Sequence, residues 1–373
     1  MGQGRSGEQE VQKTRPNQVR PSGTDHSEEA RPIPSAAPGL YPRDTTPRRP
    51  GGTIAAVLHI LQVTFPFFAL VLAGYLATRR GLLPVSAITG LNAFVLFFAL
   101  PCMLFRFGAR TPLAQLLDVR LALVYLLAGL LIVGATVLAT RRGRIGWNDA
   151  AFGALVAAFP NSGFMGVPLL VALLGAQAAG PVIVTLVLDL VVTSSLCIAL
   201  SRLDAAGLQG AEQAAAKALR GVASNPMPWS ILLGALFSGT GWQLPAPLMQ
   251  TVGLLADAAS PVALFTIGAV LARSQMASRA AVPLGDYMPV VAIKLIIHPL
   301  LVGGIGTLAL MAGLGLQPFS LTVAMLVAAL PSASNVSLLA ERFEADNGRI
   351  ARIILWTTAL AFLSFSAAVA LLR

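Results

Sequence analysis

Two apolar segments of this 373-residue chain are each interrupted by a proline that small polar residues follow directly. The first reads VAAFPNSGFMGVPLL from Val156 and the second reads VAALPSASNVSLLA from Val327, so that Pro160 and Pro331 hold corresponding positions. A proline inside a helix lacks the backbone donor and leaves a carbonyl one turn back unpaired. Hydrocarbon tolerates such a carbonyl only where protein or a water-filled cavity supplies its partner. The chain must therefore fold so that both breaks are enclosed.

Composition places the chain among membrane proteins. Hydrophobic residues make up 55% and charged residues 11% of it, and its mean hydropathy is +0.74, whereas soluble domains carry far more charge. About 20 apolar residues are needed to cross roughly 30 Å of hydrocarbon as a helix. We therefore predict an all-α membrane protein with ten transmembrane helices. Their approximate ranges are 54–78, 86–105, 120–140, 148–174, 180–201, 226–241, 249–273, 285–313, 319–341 and 350–371.

Residues 1–52 differ in kind, because they are rich in Pro, Gly, Ser, Arg and Glu and almost lack large apolar residues. Such a segment cannot bury a core, and we predict a disordered polar tail. The rest of the chain divides into two halves, residues 53–201 and 226–373. We assign residues 202–225 between them to a cytoplasmic connection.

The distribution of basic residues predicts how the chain crosses the membrane. Of its 26 Lys and Arg residues, thirteen lie in alternate connections between the spans, whereas the other connections and the C-terminus hold four. The positive-inside rule places the first set in the cytoplasm, so that both termini are extracytoplasmic. The net charge of +10 is spread over short loops rather than gathered on one face, which argues against a nucleic-acid partner. We expect a multi-pass protein of the cell (inner) membrane that is surrounded by the lipid bilayer.

Short sequence matches predict that the two halves are repeats. The matched residues, each pair 160 positions apart, are Gly74, Leu76 and Gly81 with Gly234, Leu236 and Gly241, and Pro101, Leu104 and Phe105 with Pro261, Leu264 and Phe265. The proline breaks match at an offset of 171. Matches in the same order indicate five spans per half. An odd number of spans makes the second half enter the membrane upside down, so we predict two inverted five-helix repeats whose helices 4 and 9 are broken, an arrangement typical of secondary carriers.

Several motifs resemble the auxin efflux carrier family of bacterial and plant transporters. They are NSGFMGVPL after Pro160, LPCMLF in the second span, ALFTIG in the seventh and LPSASN in the ninth, and the resemblance covers residues 54–371. It implies ten spans, fourth and ninth helices that unwind and cross at a proline, and transport of small organic anions such as dicarboxylates or auxin. It also implies a scaffold domain from spans 1, 2, 6 and 7 and a transport domain from spans 3 to 5 and 8 to 10, which moves as an elevator. The short central connection is typical of prokaryotic members, and we expect a homodimer.

The residues after each proline predict how an anion is bound. Where a helix unwinds, exposed N–H groups at one end carry partial positive charge and exposed carbonyls at the other end carry partial negative charge. The candidate substrate-binding residues are Asn161, Ser162 and Gly163 at the first break and Ser332, Ser334 and Asn335 at the second. The polar side chains would supply donors and acceptors, and glycine would let the backbone approach the ligand. Alternatively, these small residues only allow the helices to pack closely.

Ionisable residues inside the predicted spans are few and costly in hydrocarbon, which makes each a functional candidate. They are His59, Asp189, Asp257, Lys294 and His298. Lys294 is a candidate for binding the anion, or for pairing with Asp257 when the site is empty. His298 lies four residues further on and hence on the same helix face. Asp189, Asp257 and His298 are candidates for coupling transport to an ion, and structural ion pairs or a snorkelling lysine are the alternatives.

The chain lacks motifs for hydrolytic or ATP-driven chemistry, since H-E-x-x-H, G-x-S-x-G and G-x-x-x-x-G-K-[ST] are all absent. We therefore predict that it is not an enzyme, has no cofactor or metal, and is a secondary transporter driven by a gradient of substrate, H⁺ or Na⁺. The alternatives are a Na⁺-coupled carrier like the bile-acid symporters, which resemble this fold, a receptor that does not transport, and an intramembrane enzyme with Asp189 and Asp257 as paired carboxylates. Because no acidic residue closely follows either proline, H⁺ coupling or uniport is favoured over Na⁺.

Overall fold

The structure is a computed structural model that describes most of the chain. The described residues are 50–141, 145–203, 212–213, 216–217, 219–277 and 282–372, without the side chains at 50–57, 59 and 277. The side chain of His59, one of the ionisable candidates, therefore lies outside the description. The predicted polar tail, residues 1–52, also lies outside it except for residues 50–52, which begin the first helix. Part of the predicted connection at 202–225 lies outside it as well.

The described fold is helical, as the composition predicts. In chain order the helices are α1 Pro50–Arg79, α2 Ala87–Arg110, α3 Val119–Thr140, α4 Trp147–Ala158, α5 Ser162–Leu174, α6 Ala176–Leu200, α7 Pro226–Thr240, α8 Ala246–Ala277, α9 Leu284–Met311, α10 Pro318–Ala328, α11 Val336–Arg342 and α12 Asn347–Leu372. A single helical turn at Leu113–Leu116 precedes α3. The helices α2, α5, α6 and α9 each contain a short π-helical turn.

Local sequence explains several of the helix ends. The Asp118 carboxylate accepts the Leu121 N–H at 3.1 Å and so begins α3. In the same way the Asn225 side chain accepts the Met227 N–H at 3.0 Å and begins α7. Gly241 ends α7 with φ at +70°, a left-handed conformation that glycine adopts without steric cost.

Seven helical segments of the described residues are long and apolar enough to cross a membrane. They are Ile60–Arg79, Ala87–Arg110, Leu113–Thr140, Ala176–Leu200, Ala246–Met276, Leu284–Met311 and Asn347–Leu372. The other three of the ten predicted spans are helical but shorter or divided. The segments 148–174 and 319–341 are each interrupted by a break, and 226–241 corresponds to the 15 residues of α7.

The two divided segments lie in the interior of the fold. Every residue from Ala150 to Ala158 in α4 is buried, and so are Pro160 and Pro331. The outer helices α1, α3 and α12 instead expose large apolar side chains such as Phe65, Leu138 and Leu363. A helix that is apolar and buried all round is enclosed by protein, whereas exposed apolar faces suit a lipid environment.

The helices α1 and α8 touch through their backbones at two glycines. A Cβ atom built at Gly74 would lie 1.8 Å from the Phe265 carbonyl oxygen, and one built at Gly268 would lie 1.9 Å from the Val71 carbonyl oxygen. No side chain fits at either position while the helices keep this distance. Small residues allow such close approach of helices in membranes.

A similar contact joins α2 and α7. A Cβ atom at Gly234 would lie 2.6 Å from the Phe105 carbonyl oxygen, and one at Gly108 would lie 3.2 Å from the Ile231 carbonyl oxygen. The glycines that the repeat matching singled out at 74 and 234 are thus contact points between helix backbones.

Gly268→Ala is expected to destabilise the protein, because the added methyl group would have to displace the backbone of α1. Overpacking of this kind costs about 1–3 kcal/mol. Gly253 is the matched control, since it lies in the same helix with nothing within 4 Å of its Cβ position. We expect Gly253→Ala to be neutral or slightly stabilising. Thermal unfolding of both variants in detergent checks the prediction, and equal melting temperatures would contradict it.

Candidate functional site

Both predicted breaks interrupt their helices in the structure. Residues 159–161 separate α4 from α5, and residues 329–335 separate α10 from α11. We call these two segments together the crossing. Because both lie in the buried part of the fold, their backbone groups need partners within the protein.

The two segments of the crossing pair with each other through their backbones. The Asn161 N–H donates to the Pro331 carbonyl at 2.8 Å, and the Ala333 N–H donates to the Phe159 carbonyl at 2.9 Å. Together they form a short antiparallel bridge, isolated from any sheet among the described residues. The crossing is therefore a direct contact between residues that lie far apart in the chain.

The carbonyl that Pro160 leaves unpaired belongs to Val156, four residues earlier. The Ser332 hydroxyl donates to this carbonyl at 2.7 Å, and the Ser332 N–H donates to the Thr357 hydroxyl at 3.3 Å. The prediction that the fold must supply a partner is confirmed, and that partner is Ser332. The hydroxyl thus stabilises the crossing rather than facing a ligand in this conformation.

The polar residues of the first break are also enclosed. Ser162 is fully buried and its hydroxyl donates to the Pro160 carbonyl at 3.4 Å. Asn161 is only 4% exposed. Its backbone carbonyl accepts the N–H groups of Met165 at 3.1 Å and Gly166 at 3.0 Å, and these bonds form the first turn of α5.

The two glycines in the first turn of α5 have different surroundings. A Cβ atom at Gly163 would meet Leu186 at 3.6 Å, an ordinary contact. A Cβ atom at Gly166 would lie only 2.9 Å from Leu330, which belongs to the second break. Gly166 therefore allows the two breaks to approach each other, and its role is missed when only the residues next to the proline are considered.

At the second break, Asn335 presents a polar group without a partner. Ser334 is 8% exposed and its carbonyl accepts the Ser337 N–H at 3.2 Å. The Oδ1 atom of Asn335 is buried and has no hydrogen-bond partner among the described residues. A buried acceptor of this kind is costly unless a donor from a ligand or a water molecule bonds to it.

A cavity of about 220 Å³ adjoins the crossing, where Phe159 and Asn335 form part of its wall. The polar side chains that line it are those of Ser194, Lys217, Asn225, Asn335 and Arg342. Two of them are cations, and the described lining contains no carboxylate. A cleft lined by charge of one sign concentrates ligands of the opposite sign, so this cavity suits an anion.

Lys294 lies at the carbonyl end of α10 and is fully buried. Its Nζ atom donates to the carbonyl of Ala328, the last residue of α10, at 2.9 Å and lies 3.1 Å from Nδ1 of His298. The predicted proximity of Lys294 and His298 is confirmed. A helix C-terminus carries partial negative charge, which the ammonium group offsets here.

Asp189 is the only buried carboxylate among the described residues. It accepts the Tyr125 hydroxyl at 3.0 Å and the Thr193 hydroxyl at 3.2 Å. The ring centroids of Tyr125 and His298 lie 6.0 Å apart, so the groups form one cluster.

The charged members of this cluster occupy irregular helix turns. Asp189 begins the π-helical turn Asp189–Thr193, and Lys294 lies in the π-helical turn Ile293–Ile297. A third π-helical turn, Ser162–Gly166, follows the first break directly. Such turns are rare and frequently occur at functional sites, so their grouping marks this region as the candidate site.

Asp257 does not belong to the cluster. Its carboxylate accepts the Arg106 guanidinium at 2.7 Å, and its side chain is 70% exposed. The predicted pair of Lys294 with Asp257 is therefore wrong. A paired-carboxylate site of Asp189 with Asp257 is wrong as well, because Asp189 is buried and Asp257 is exposed.

The described residues contain no group of three or more His, Cys, Asp or Glu that could hold a metal ion.

Sequence reasoning missed a buried arginine, because it counted Arg349 among the cytoplasmic basic residues. Arg349 is 2% exposed, and it donates to the Asp286 carbonyl at 2.7 Å and to the Asp149 carbonyl at 2.8 Å. It thereby joins the first turns of α4, α9 and α12. Tyr125 and Thr193 were missed too, since a single hydroxyl in an apolar span gives no distinct signal.

Ser332→Ala is expected to lower the free energy of unfolding, because the Val156 carbonyl loses the hydroxyl that bonds to it. Leaving a buried acceptor unsatisfied costs about 1–3 kcal/mol. Ser364→Ala is the matched control, since its hydroxyl is buried without a hydrogen-bond partner among the described residues and its removal should change little. Thermal unfolding of the two variants measures the difference, and equal effects would contradict the role of Ser332.

Comparisons with known proteins agree with this arrangement. The family model described as "Membrane transport protein" matches residues 59–369. A "Putative malonate transporter" of Rhizobium meliloti (strain 1021) is 30% identical over 323 residues, which cover 84% of this chain and 96% of that protein. The "Uncharacterized transporter YfdV" of Escherichia coli (strain K12) is 28% identical over 286 residues, which cover 74% of this chain and 86% of that protein. The "Auxin efflux carrier component 8" of Arabidopsis thaliana is 23% identical over 270 residues, which cover 58% of this chain and 72% of that protein.

The family match begins in α1 and ends in α12, so every described helix lies wholly or largely within it. Its members are transporters, so the chain is not an enzyme and the intramembrane-enzyme alternative is wrong. The match also identifies the chain as a multi-pass membrane protein. The resemblance that the sequence motifs indicate is confirmed: the chain belongs to the membrane transport protein family, which includes the auxin efflux carriers.

Proposed function

We propose that this protein is a secondary active transporter that moves a small organic anion, such as a carboxylate, across the membrane. The observation that carries the proposal is the cavity beside the crossing, which combines Lys217 and Arg342 with the unpartnered amide oxygen of Asn335. The amide of Asn335 can turn its NH₂ group toward a carboxylate, because its oxygen and nitrogen ends have nearly the same shape. The cavity would thus deliver an anion to the crossing.

Of the six candidate substrate-binding residues at the two breaks, four are proposed to contact the anion and two are not. Asn161, Ser334 and Asn335 lie in the breaks, and Gly163 lies in the first turn of α5, whose N–H groups carry partial positive charge that favours an anion. Ser162 and Ser332 instead use their hydroxyls to bond the backbone of the crossing itself.

A small dicarboxylate is the substrate class that the cavity fits best. Its two negative charges match the two cations, Lys217 and Arg342, that line the cavity. The name of the Rhizobium meliloti relative, "Putative malonate transporter", supports the same class.

We infer ten spans in two inverted five-helix repeats. Gly74 packs on the carbonyl of Phe265, and Gly234 packs on the carbonyl of Phe105. Adding 160 to the first glycine gives the second, and subtracting 160 from Phe265 gives Phe105. An exchange of partners between matching positions is what a two-fold relation between the halves would produce, which supports the inverted repeat.

The proposed mechanism is an elevator in which one domain moves against another. The scaffold would consist of spans 1, 2, 6 and 7, whose helices α1, α2, α7 and α8 pack through their glycines. The transport domain would consist of the remaining helices. Arg349 supports this division, because it joins the starts of α4, α9 and α12, which all belong to the proposed transport domain.

The position of Lys294 favours H⁺ coupling or uniport over Na⁺ coupling. Carbonyls at the ends of half-helices bind Na⁺ in many secondary transporters. Here the ammonium of Lys294 already donates to the carbonyl end of α10. Asp189 and His298 lie in the same cluster and are the proposed proton-binding groups, whereas Asp257 is paired with Arg106 at the surface.

The charge distribution supports a cytoplasmic position for the cavity mouth. Lys217 and Arg342 both belong to the set of connections that the positive-inside rule assigns to the cytoplasm. The structure would then be open toward the cytoplasm, with both termini outside. The predicted homodimer stays a prediction.

Purified protein in proteoliposomes is expected to take up labelled malonate, and Asn335→Asp is expected to prevent it. The variant replaces the amide with a carboxylate of nearly the same size, whose negative charge repels the anion. Such repulsion costs several kcal/mol and should lower the affinity roughly a hundred-fold. Asn347→Asp is the matched control, because Asn347 lies outside the cavity and its Oδ1 only accepts the Ser337 hydroxyl. Binding without uptake would favour the receptor alternative, and neither binding nor uptake of any carboxylate would overturn the proposal.

Initial uptake rates are expected to be the same in Na⁺ and in choline, because Lys294 occupies the carbonyl end of α10. In Lys294→Met that end loses its cation, so uptake should fall and become stimulated by Na⁺. Lys217→Met is the control: it removes a cation of the cavity and should also lower uptake, but the remaining rate should be the same in Na⁺ and in choline. Strong Na⁺ dependence of the unmodified protein would show that the coupling assignment is wrong.

A further inference from the structure

Phe343 lies at the end of α11 and forms part of the wall of the cavity beside the crossing. It is 5% exposed, and its ring packs against the ring of Phe152 in α4, with centroids 6.0 Å apart. The Lys217 ammonium lies 5.8 Å and the Arg202 guanidinium 5.5 Å from the centre of the Phe343 ring. An aromatic face attracts cations at such distances. One ring therefore contacts the buried α4 and attracts two cations.

The backbone of Phe343 is fixed by side chains from other parts of the fold. Its carbonyl accepts the amide NH₂ group of Asn148 at 3.0 Å and a guanidinium nitrogen of Arg202 at 3.1 Å. The chain then turns at Glu344, whose φ of +58° is left-handed and whose N–H donates to the Glu341 carbonyl at 3.2 Å. A left-handed residue of this kind commonly ends a helix. The position of the Phe343 ring is thus set before any ligand binds.

The face of α11 that lines the cavity has a polar group at each end. Its lining residues recur at helical spacing and are Asn335, Leu338, Leu339 and Arg342. Asn335 immediately precedes the helix and Arg342 ends it, so that the two lie about 10.5 Å apart along the helix axis. Phe343 follows Arg342 directly and therefore lies at the cationic end of the cavity.

Lys217, the second cation of the cavity, is exposed and needs a partner to keep one orientation. A free lysine side chain samples many rotamers, and fixing one of them costs conformational entropy. The described lining contains no carboxylate that could hold the ammonium at the wall. The attraction to the Phe343 ring offsets part of the entropic cost in advance, which strengthens binding of an anion by preorganisation.

We propose that Phe343 is a positioning residue that sets the preference for substrates with two carboxylates. Its ring holds the Lys217 ammonium at the cavity wall, where this cation and Arg342 bind the second carboxylate while the first is bound at Asn335. A monocarboxylate bound at Asn335 gains nothing from the two cations. This inference rests on the proposed function and names the residue through which the cavity would distinguish two charges from one.

Competition against labelled malonate, bound to the purified full-length protein, measures this preference. The competitors are malonate and malonamate, in which an uncharged amide of nearly the same shape replaces one carboxylate. The preference is the ratio of their inhibition constants. Phe343→Leu is expected to reduce it roughly three-fold, the contribution of one cation–π contact at an exposed site, whereas Phe343→Tyr keeps the ring and should keep the preference. Phe362→Leu is the matched control, because it removes a packed ring that does not line this cavity.

A double variant tests whether Phe343 acts through Lys217. Lys217→Met should lower the preference at least as much as Phe343→Leu, and adding Phe343→Leu to it should have no further effect, because the ring then has no ammonium to hold. Lys217 is exposed, so its variant does not disturb the core even if Phe343→Leu unfolds the protein.

The outcomes separate this inference from the proposed function. An unchanged preference in Lys217→Met, or additive effects of the two substitutions, would overturn the positioning role while malonate binding by the unmodified protein still supports an anion transporter. If the unmodified protein binds no malonate or other carboxylate, the proposed function fails and this inference fails with it.

Discussion

The exchange of hydrogen bonds across the crossing is the interaction on which the rest of the structure depends. Pro160 leaves the Val156 carbonyl without its helical donor, and the Ser332 hydroxyl donates to this carbonyl instead. The Asn161 N–H in turn donates to the Pro331 carbonyl. In a low-dielectric interior no solvent can replace these partners. The two halves of the chain are consequently fixed to each other at this point, and the helices that lead into it take their positions from it.

The position of Lys294 is also related to the end of a helix. The buried ammonium of Lys294 sits where α10 ends and partial negative charge accumulates, and Asp189 lies in the same cluster beneath Tyr125. The cations Lys217 and Arg342 line the cavity beside the crossing, and neither belongs to this buried cluster. The two groups of polar residues are therefore proposed to have separate roles, the buried cluster in stabilising the unwound helices and the cavity in attracting an anion.

Local signals made much of this predictable. The breaks follow from two prolines, the long helices from the lengths of apolar runs, and the contact of Lys294 with His298 from helical spacing. The choice of distant partners was not predictable, because it depends on which helices meet. Asp257 pairs with Arg106 across 151 positions, and Ser332 reaches Val156 across 176. The composition around these residues gives no indication of either pair.

The glycine contacts between α1 and α8 restrict which movements the molecule can make. Moving α1 along α8 by one helical turn, about 5.4 Å, would bring a residue of the same face, such as Val71 or Thr78, to the place where Gly74 now lies against a carbonyl oxygen, and its Cβ atom would not fit. The register of α1 against α8 is thereby limited to one setting. Any relative movement of the helices must therefore use other contacts, such as the one between Phe68 of α1 and Phe362 of α12, where side chains rather than backbones meet.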